Sequence, residues 1–180
     1  MTPDQPAAEA QRIEGRLLRD ICGLFVTGVT VVTSVADGHP VGTTVNSFTS
    51  VSLDPPLILF CLHKQSRLRR ALAESQMFTV NFLAGRQKPL ARSFARRETG
   101  VLPDEAYRCS SSGMPILRDA LAFLGCRLAN EFEGGDHTIV LGDVIELGSP
   151  KQDHEPLIFF RGSLSALEHQ PWAGLPIWDG

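Results

Sequence analysis

No apolar run in the 180-residue sequence approaches the roughly 20 residues of a membrane-spanning helix. The opening residues, MTPDQPAAEAQ, have neither a basic start nor an apolar core, so no secretory signal is expected. There is no G-x-G-x-x-G after a strand and no G-x-x-x-x-G-K-[ST], which argues against Rossmann and P-loop nucleotide binding. H-E-x-x-H and paired Cys-x-x-Cys are also missing, so no metal centre is expected. A G-x-S-x-G elbow that would present a nucleophilic serine is absent too. Cysteine is sparse: Cys22, Cys61, Cys109 and Cys126 are scattered, and three of them sit in apolar sequence. Reduced, buried thiols in a cytoplasmic protein are expected. No repeat, low-complexity tract or linker divides the chain. One domain is expected over 11–168, after a disordered lead (1–10) and before a tail (169–180). With two Trp in HQPWAGLPIWDG, that tail is expected to pack on the barrel or on a second subunit.

What is present is dominated by β signals. Residues 9–22 carry Ile13, Leu17, Leu18 and Ile21 at helical spacing, with Gly23 to end the helix. FVTGVTVVTSVADGHPVGTTV reads as two strands joined at Asp37-Gly38. LILFCL, after Pro55-Pro56, is apolar on both faces and reads as a central strand. Ser66 is placed to cap a short helix through Glu74, MFTVNFL is a strand, and 89–97 is a helix burying Leu90 and Phe94. Residues 120–148 read as two long strands around a turn at Glu133-Gly134-Gly135-Asp136, and PLIFFRGSLSAL as a last strand. Hairpins with a few short helices fit a mainly antiparallel β barrel.

Charge is unevenly spread. The net value is -3, yet residues 64–97 hold nine Lys or Arg against one acid, Glu74. A basic belt in an acidic chain points to an anionic ligand or partner, or to solvated helix faces. Aromatic residues are not interleaved with those charges, which weighs against nucleic-acid binding.

Two stretches carry possible chemistry. VGTTVNSFTSVSLDPP, residues 41–56, is rich in Ser and Thr and has no charge before Asp54. Such hydroxyls and the amides beside them suit a planar heteroaromatic ring or a phosphate; equally, they suit a polar edge strand with Thr chosen for β propensity. Lys64, Ser66 and Arg67 follow near a helix N-terminus, where phosphate binds well. The second stretch is Gly134-Gly135-Asp136-His137, either a hairpin that aims a histidine at a ligand or an ordinary Asp-containing turn.

The sequence resembles the flavin reductase family of FMN-binding split barrels, the reductase components of two-component flavin-dependent monooxygenases. The resemblance rests, in order, on FVTGVTVVTS, PVGTTVNSFTSVSLDPPLILFCL, FTVNFLAGRQKPLARSFA and GGDHTIVLGDV. One departure is visible: the family usually has a small residue such as Ala where Thr44 or Val45 stands, which adds bulk beside the flavin. The resemblance implies a split β-barrel and hydride transfer from NADH, or NADPH, to exchangeable FMN or FAD. It also implies a homodimer that supplies reduced flavin to a separate monooxygenase. NADH is favoured, because no Arg pair is placed for a 2′-phosphate. For the flavin slot it implies Thr43, Thr44, Val45, Asn46, Ser47, Ser50, Val51, Ser52 and Leu53. Cys61, His63, Lys64, Ser66 and Arg67 correspond to the phosphate end, and Asn81, Phe82, Leu83, Gln87, Ser93 and Phe94 to the far wall. His137 is the implied contact to the nicotinamide nucleotide. Two rivals are a non-catalytic flavin-binding module and an FMN oxidase of the pyridoxamine-phosphate type; the latter needs a substrate-phosphate site that the sequence does not offer.

Overall fold

The computed structural model describes residues 13–95, 102–149 and 154–167. Its first elements are helix α1 (Gly15–Cys22), a two-residue strand β1 (Thr27–Gly28), and the hairpin of β2 (Thr30–Ala36) with β3 (His39–Val45). Asp37 and Gly38 close that hairpin with φ of 51° and 77°, the paired positive values of a tight turn that follows strand twist. The chain continues through β4 (Thr49–Leu53), β5 (Pro56–His63), helix α2 (Arg67–Ser75), β6 (Met77–Phe82) and helix α3 (Lys88–Phe94). A small ribbon, β7 (Tyr107–Cys109) with β8 (Pro115–Leu117), precedes the long hairpin of β9 (Ala122–Gly134) and β10 (His137–Gly148). Strands β11 (Leu157–Phe160) and β12 (Ser163–Ala166) come last.

Seven strands form one antiparallel sheet in the order β3-β2-β6-β9-β10-β5-β4. The sheet curls until the β3–β4 connection meets β5. There the Ser47 hydroxyl accepts from the Cys61 N–H at 2.9 Å and donates to the Cys61 carbonyl at 3.3 Å. Inside the curl lie Val32, Phe60, Leu62, Phe78, Val80 and Val140, with Leu68, Ala71 and Leu72 of α2 packed among them. A second core gathers Val29, Val31, Leu83, Phe94, Leu117 and Leu157 under α3 and the β1-β11-β12 sheet. Mainly β structure with short helices, the expected split barrel, is what the chain forms.

Several local expectations are corrected. PLIFFRGSLSAL is a hairpin rather than one strand, turning at Arg161 and Gly162, whose φ values are 48° and 77°. Gly23 ends α1 as expected, in a right-handed conformation with φ -64° and its N–H on the Arg19 carbonyl at 2.9 Å. Ser66 stands at the N-cap of α2 but makes no side-chain cap bond. Of the cysteines expected to be buried, only Cys126 is. Burial, and secondarily Asp143, pushes its thiol up to about 12. Cys22 is exposed because α1 lies outside both cores, Cys109 is exposed at the end of β7, and Cys61 is half-buried. The helix expected from residue 9 begins at Gly15, after Glu14 at its N-cap, so Ile13 lies outside it. The 89–97 helix already ends at Phe94, with Ala95 as its C-cap. Residues 9–12, 96–97 and the tail fall outside the described residues.

Candidate active site

A cleft of about 350 Å³ opens where the end of β3, the end of β5 and the start of α2 converge. That volume lies within the usual range for small-ligand sites, roughly 300–1,000 Å³. Its walls are Gly42 to Ser47, Cys61 to His63, Gln65 to Leu68, Ala95 and His137. Strand β3 is an edge of the main sheet, so its outer backbone N–H and C=O groups have no ladder partner.

The hydroxyls of the 41–56 stretch have identifiable partners. Thr44 donates to the Ala91 carbonyl at 2.8 Å and Thr43 to the Phe94 carbonyl at 3.5 Å. The Ala91 carbonyl also accepts from the Ala95 N–H at 3.1 Å, so Thr44 adds a second bond there. The Phe94 carbonyl lies in the last turn, where carbonyls lack intrahelical partners. Together the two bonds dock α3 on β3. The threonine hydrogens are thereby committed, while their oxygens keep acceptor capacity. Asn46 is exposed and donates to the Thr27 hydroxyl at 3.2 Å.

At the other end, Ser66 has an uncommitted hydroxyl and Arg67 opens α2. The Arg69 N–H already bonds the Ser66 carbonyl, whereas the N–H groups of Arg67 and Leu68 have no intrahelical acceptor and carry the positive end of the dipole. His63 and His137 are register partners on β5 and β10, with ring centroids 5.4 Å apart at 80°. His137 Nδ1 lies 2.7 Å from Asp136 Oδ1. The bond from His137, then its charge, and more weakly the charge of His63, hold the Asp136 carboxyl below the usual range. Lys64 points instead to Glu133 at 2.5 Å, lowering that carboxyl in turn. Among the described residues no His, Cys, Asp and Glu cluster could hold a metal ion.

The profile of the flavin reductase like domain matches residues 22–168. The chain belongs to this family. The reductase subunit HsaB of a flavin-dependent monooxygenase from Mycobacterium tuberculosis is 39% identical over 158 residues, covering 87% of this chain and 84% of that one. Component B of nitrilotriacetate monooxygenase from Mycobacterium thermoresistibile superposes with a TM-score of 0.82 at 38% identity, over 91% and 92% of the two chains. The NADH:FAD oxidoreductase SgcE6 of Streptomyces globisporus, solved with NAD and FAD fragments, gives 0.79 at 37% identity, over 92% and 100%.

Within this flavin reductase fold the expected site residues divide into three groups. Thr43, Thr44, Val45, Asn46, Ser47, Cys61, His63, Ser66, Arg67 and His137 come together in the cleft. Phe82 and Leu83 line a second, apolar cavity of about 440 Å³, which shares Asn46 with the first. The rest are placed elsewhere. Ser50, Val51, Ser52 and Leu53 lie along the opposite edge strand, β4, with Leu53 90% exposed. Asn81 is fully buried, donating to the Val31 carbonyl and the Thr33 hydroxyl and accepting from the Leu117 N–H. Gln87 accepts from the Ala84 N–H and donates to the Arg118 carbonyl. Phe94 is in the second core, and Ser93 donates to the Leu90 carbonyl on α3. These polar groups satisfy backbone that burial would otherwise leave unpaired.

Sequence reasoning missed Leu62, Gln65, Leu68 and Ala95 as lining residues, and Asp136 as the partner of His137. Gln65 and Asp136 adjoin expected residues and were within reach of it. Ala95 is brought in only by the docking of α3 on β3.

Proposed function

We propose that this chain is an NAD(P)H:flavin oxidoreductase that passes hydride from NADH to FMN or FAD and supplies reduced flavin to a separate monooxygenase. The observation that carries the reading is the cleft itself, in a chain of the flavin reductase family. An uncharged polar wall faces one end, and an uncommitted hydroxyl with an arginine at a helix N-terminus forms the other. That arrangement fits a polar ring system carrying a phosphate. When bound, the flavin supplies the two-electron acceptor, so the protein needs no nucleophile.

The protein's part is positioning. Asn46 and the free edge amides of β3 hold the ring and its polyol chain. Ser66, Arg67 and the first N–H groups of α2 hold the phosphate. His137 orients the nicotinamide nucleotide, and the half-buried cleft wall limits water at the reacting atoms. Cysteines free of disulfides suit a cytoplasmic setting.

A homodimer belongs to the same reading. Ile13 just before α1, and Leu17, Leu18 and Ile21 on it, are 53–72% exposed, and Leu24, Phe25 and Val26 continue that apolar surface. So much contiguous apolar area is rare on a monomer and marks an interface.

The test is NADH and NADPH oxidation with FMN, FAD and riboflavin as acceptors. NADH with a phosphorylated flavin should turn over best, and riboflavin should show a distinctly higher KM. Tight flavin retention without NADH consumption would leave only a binding module. Equal KM values for FMN and riboflavin would remove the phosphate assignment.

A further inference from the structure

The two cleft histidines are held in different ways. The Gln65 N–H donates to His63 Nδ1 at 3.1 Å, so that nitrogen is an acceptor and the ring hydrogen sits on Nε2. At His137 the situation is reversed. Asp136 is ionised, and a carboxylate can only accept, so the 2.7 Å contact places a hydrogen on His137 Nδ1. Neutral His137 therefore carries a lone pair on Nε2. The cross-strand pairing of His63 with His137, with ring centroids 5.4 Å apart at 80°, brings the two rings together at the cleft wall.

We propose that His63 and His137 form a donor–acceptor pair that reads a primary carboxamide, His63 Nε2–H donating to its oxygen and His137 Nε2 accepting from its N–H. This rests on the reductase reading, in which the group is the carboxamide of the nicotinamide ring. It makes His63 a specificity-determining residue for the reductant rather than part of the flavin phosphate site. The fixing partners are Asp136 and the Gln65 amide, both supplied by the turns that end the two strands. Imide edges also set an acceptor beside a donor, and a flavin has one, so the experiment separates the two sources.

The probe is the 3-acetylpyridine analogue of NADH, which keeps the carbonyl oxygen and loses the amide hydrogens. The quantity read is the ratio of kcat/KM for NADH to that for the analogue, compared among proteins so that intrinsic reactivity cancels. His137→Phe should shrink the wild-type ratio by about tenfold, the effect of one lost buried hydrogen bond. His63→Phe should slow both reductants alike and leave the ratio unchanged, because both retain the carbonyl. A second replacement, His137→Leu, covers the case in which the phenylalanine variant does not fold. Nitrogen-15 NMR of the wild type, at a pH of roughly 8.5, above the usual histidine range, should show hydrogen on Nδ1 of His137 and on Nε2 of His63. Like tautomers at the two positions would overturn the pair. An unchanged ratio in a folded, active His137 variant, with a raised flavin KM, would move the contact to the flavin imide and also overturn it. A wild-type protein that oxidises no NADH with any flavin would sink the reductase reading itself.

Discussion

One buried amide, that of Asn81, ties three strands together. It bonds to Val31 and Thr33 of β2 and to the Leu117 N–H of β8 while lying in β6. Asn81→Leu removes all three bonds and leaves a buried N–H and C=O unpaired, so stability should fall by about 2–4 kcal/mol. Chemical denaturation measures it, and a midpoint equal to wild type would show that water replaces the amide. The case also shows what single residues disclosed. Asn, Thr and Ser stand out in the sequence as polar residues in an apolar chain, and about half of those expected at the site do line the cleft. Whether a given one faces ligand or fold depends on strand register and on the docking of α3, which residue type does not encode. Thr43 and Thr44 belong to both: they line the cleft and dock α3 through its carbonyls. Part of the basic belt has a structural answer as well, since Lys64, Arg69, Arg70 and Arg86 pair with Glu133, Glu131, Glu74 and Asp119. Such exposed pairs contribute little to stability, but they do move titrations. Glu133 is lowered by the bond from Lys64 and then by its charge. A carboxyl lowered in the fold favours folding fully above its unfolded pKa, about 4.3. That contribution is lost as pH falls through the lower folded value. Lys64→Met should raise the Glu133 midpoint toward the ordinary glutamate value, as read by carboxyl carbon NMR. No movement would show that the pair does not persist in solution.

Among the elements, the β9–β10 hairpin was legible almost to the residue. Its alternation is long and Gly135, with φ of 71°, supplies the turn. The β11–β12 hairpin was not, because Arg161-Gly162 is a weak turn signal inside a run of apolar residues. The β7–β8 ribbon was missed for a similar reason: three-residue strands have no period to read. The long hairpin contains its own sensitive point. A Cβ added to Gly142 would come within 2.5 Å of the ring of Phe78, which is fully buried and cannot swing away. Gly142→Ala should therefore destabilise the protein by about 1–3 kcal/mol through overpacking. Pairing it with Phe78→Leu should recover part of the loss. An additive double mutant in thermal unfolding would exclude that contact as the cause.

For the whole molecule, the apolar stripe of α1 was read correctly as a helix face, but a single chain could not reveal its partner. A helix whose apolar side meets no core in its own chain is stabilised by something outside it. If that is a second copy, Leu17→Asp with Ile21→Asp should shift the protein from dimer to monomer in analytical ultracentrifugation. Far-ultraviolet dichroism should change little beyond the loss of α1. A wild-type protein that sediments as a monomer at micromolar concentration would instead assign the stripe to another partner.

Nearly the whole cleft comes from residues 42–68, with Ala95 and His137 added later in the chain. Yet β3 and β5 are not sheet neighbours; they are connected through β2, β6, β9 and β10. On the ribosome this order has a cost in time. At roughly 5–20 residues per second, the segment that will form the cleft emerges several seconds before the hairpin that pairs with β5. Throughout that interval LILFCL has only β4 beside it, and its other edge, where β10 will pair, is open to wrong pairing. Flavin cannot rescue the nascent chain during the wait, because the binding surface exists only once the last long hairpin has closed. The soluble yield of this protein should therefore depend on translation rate and chaperone supply more than on flavin abundance.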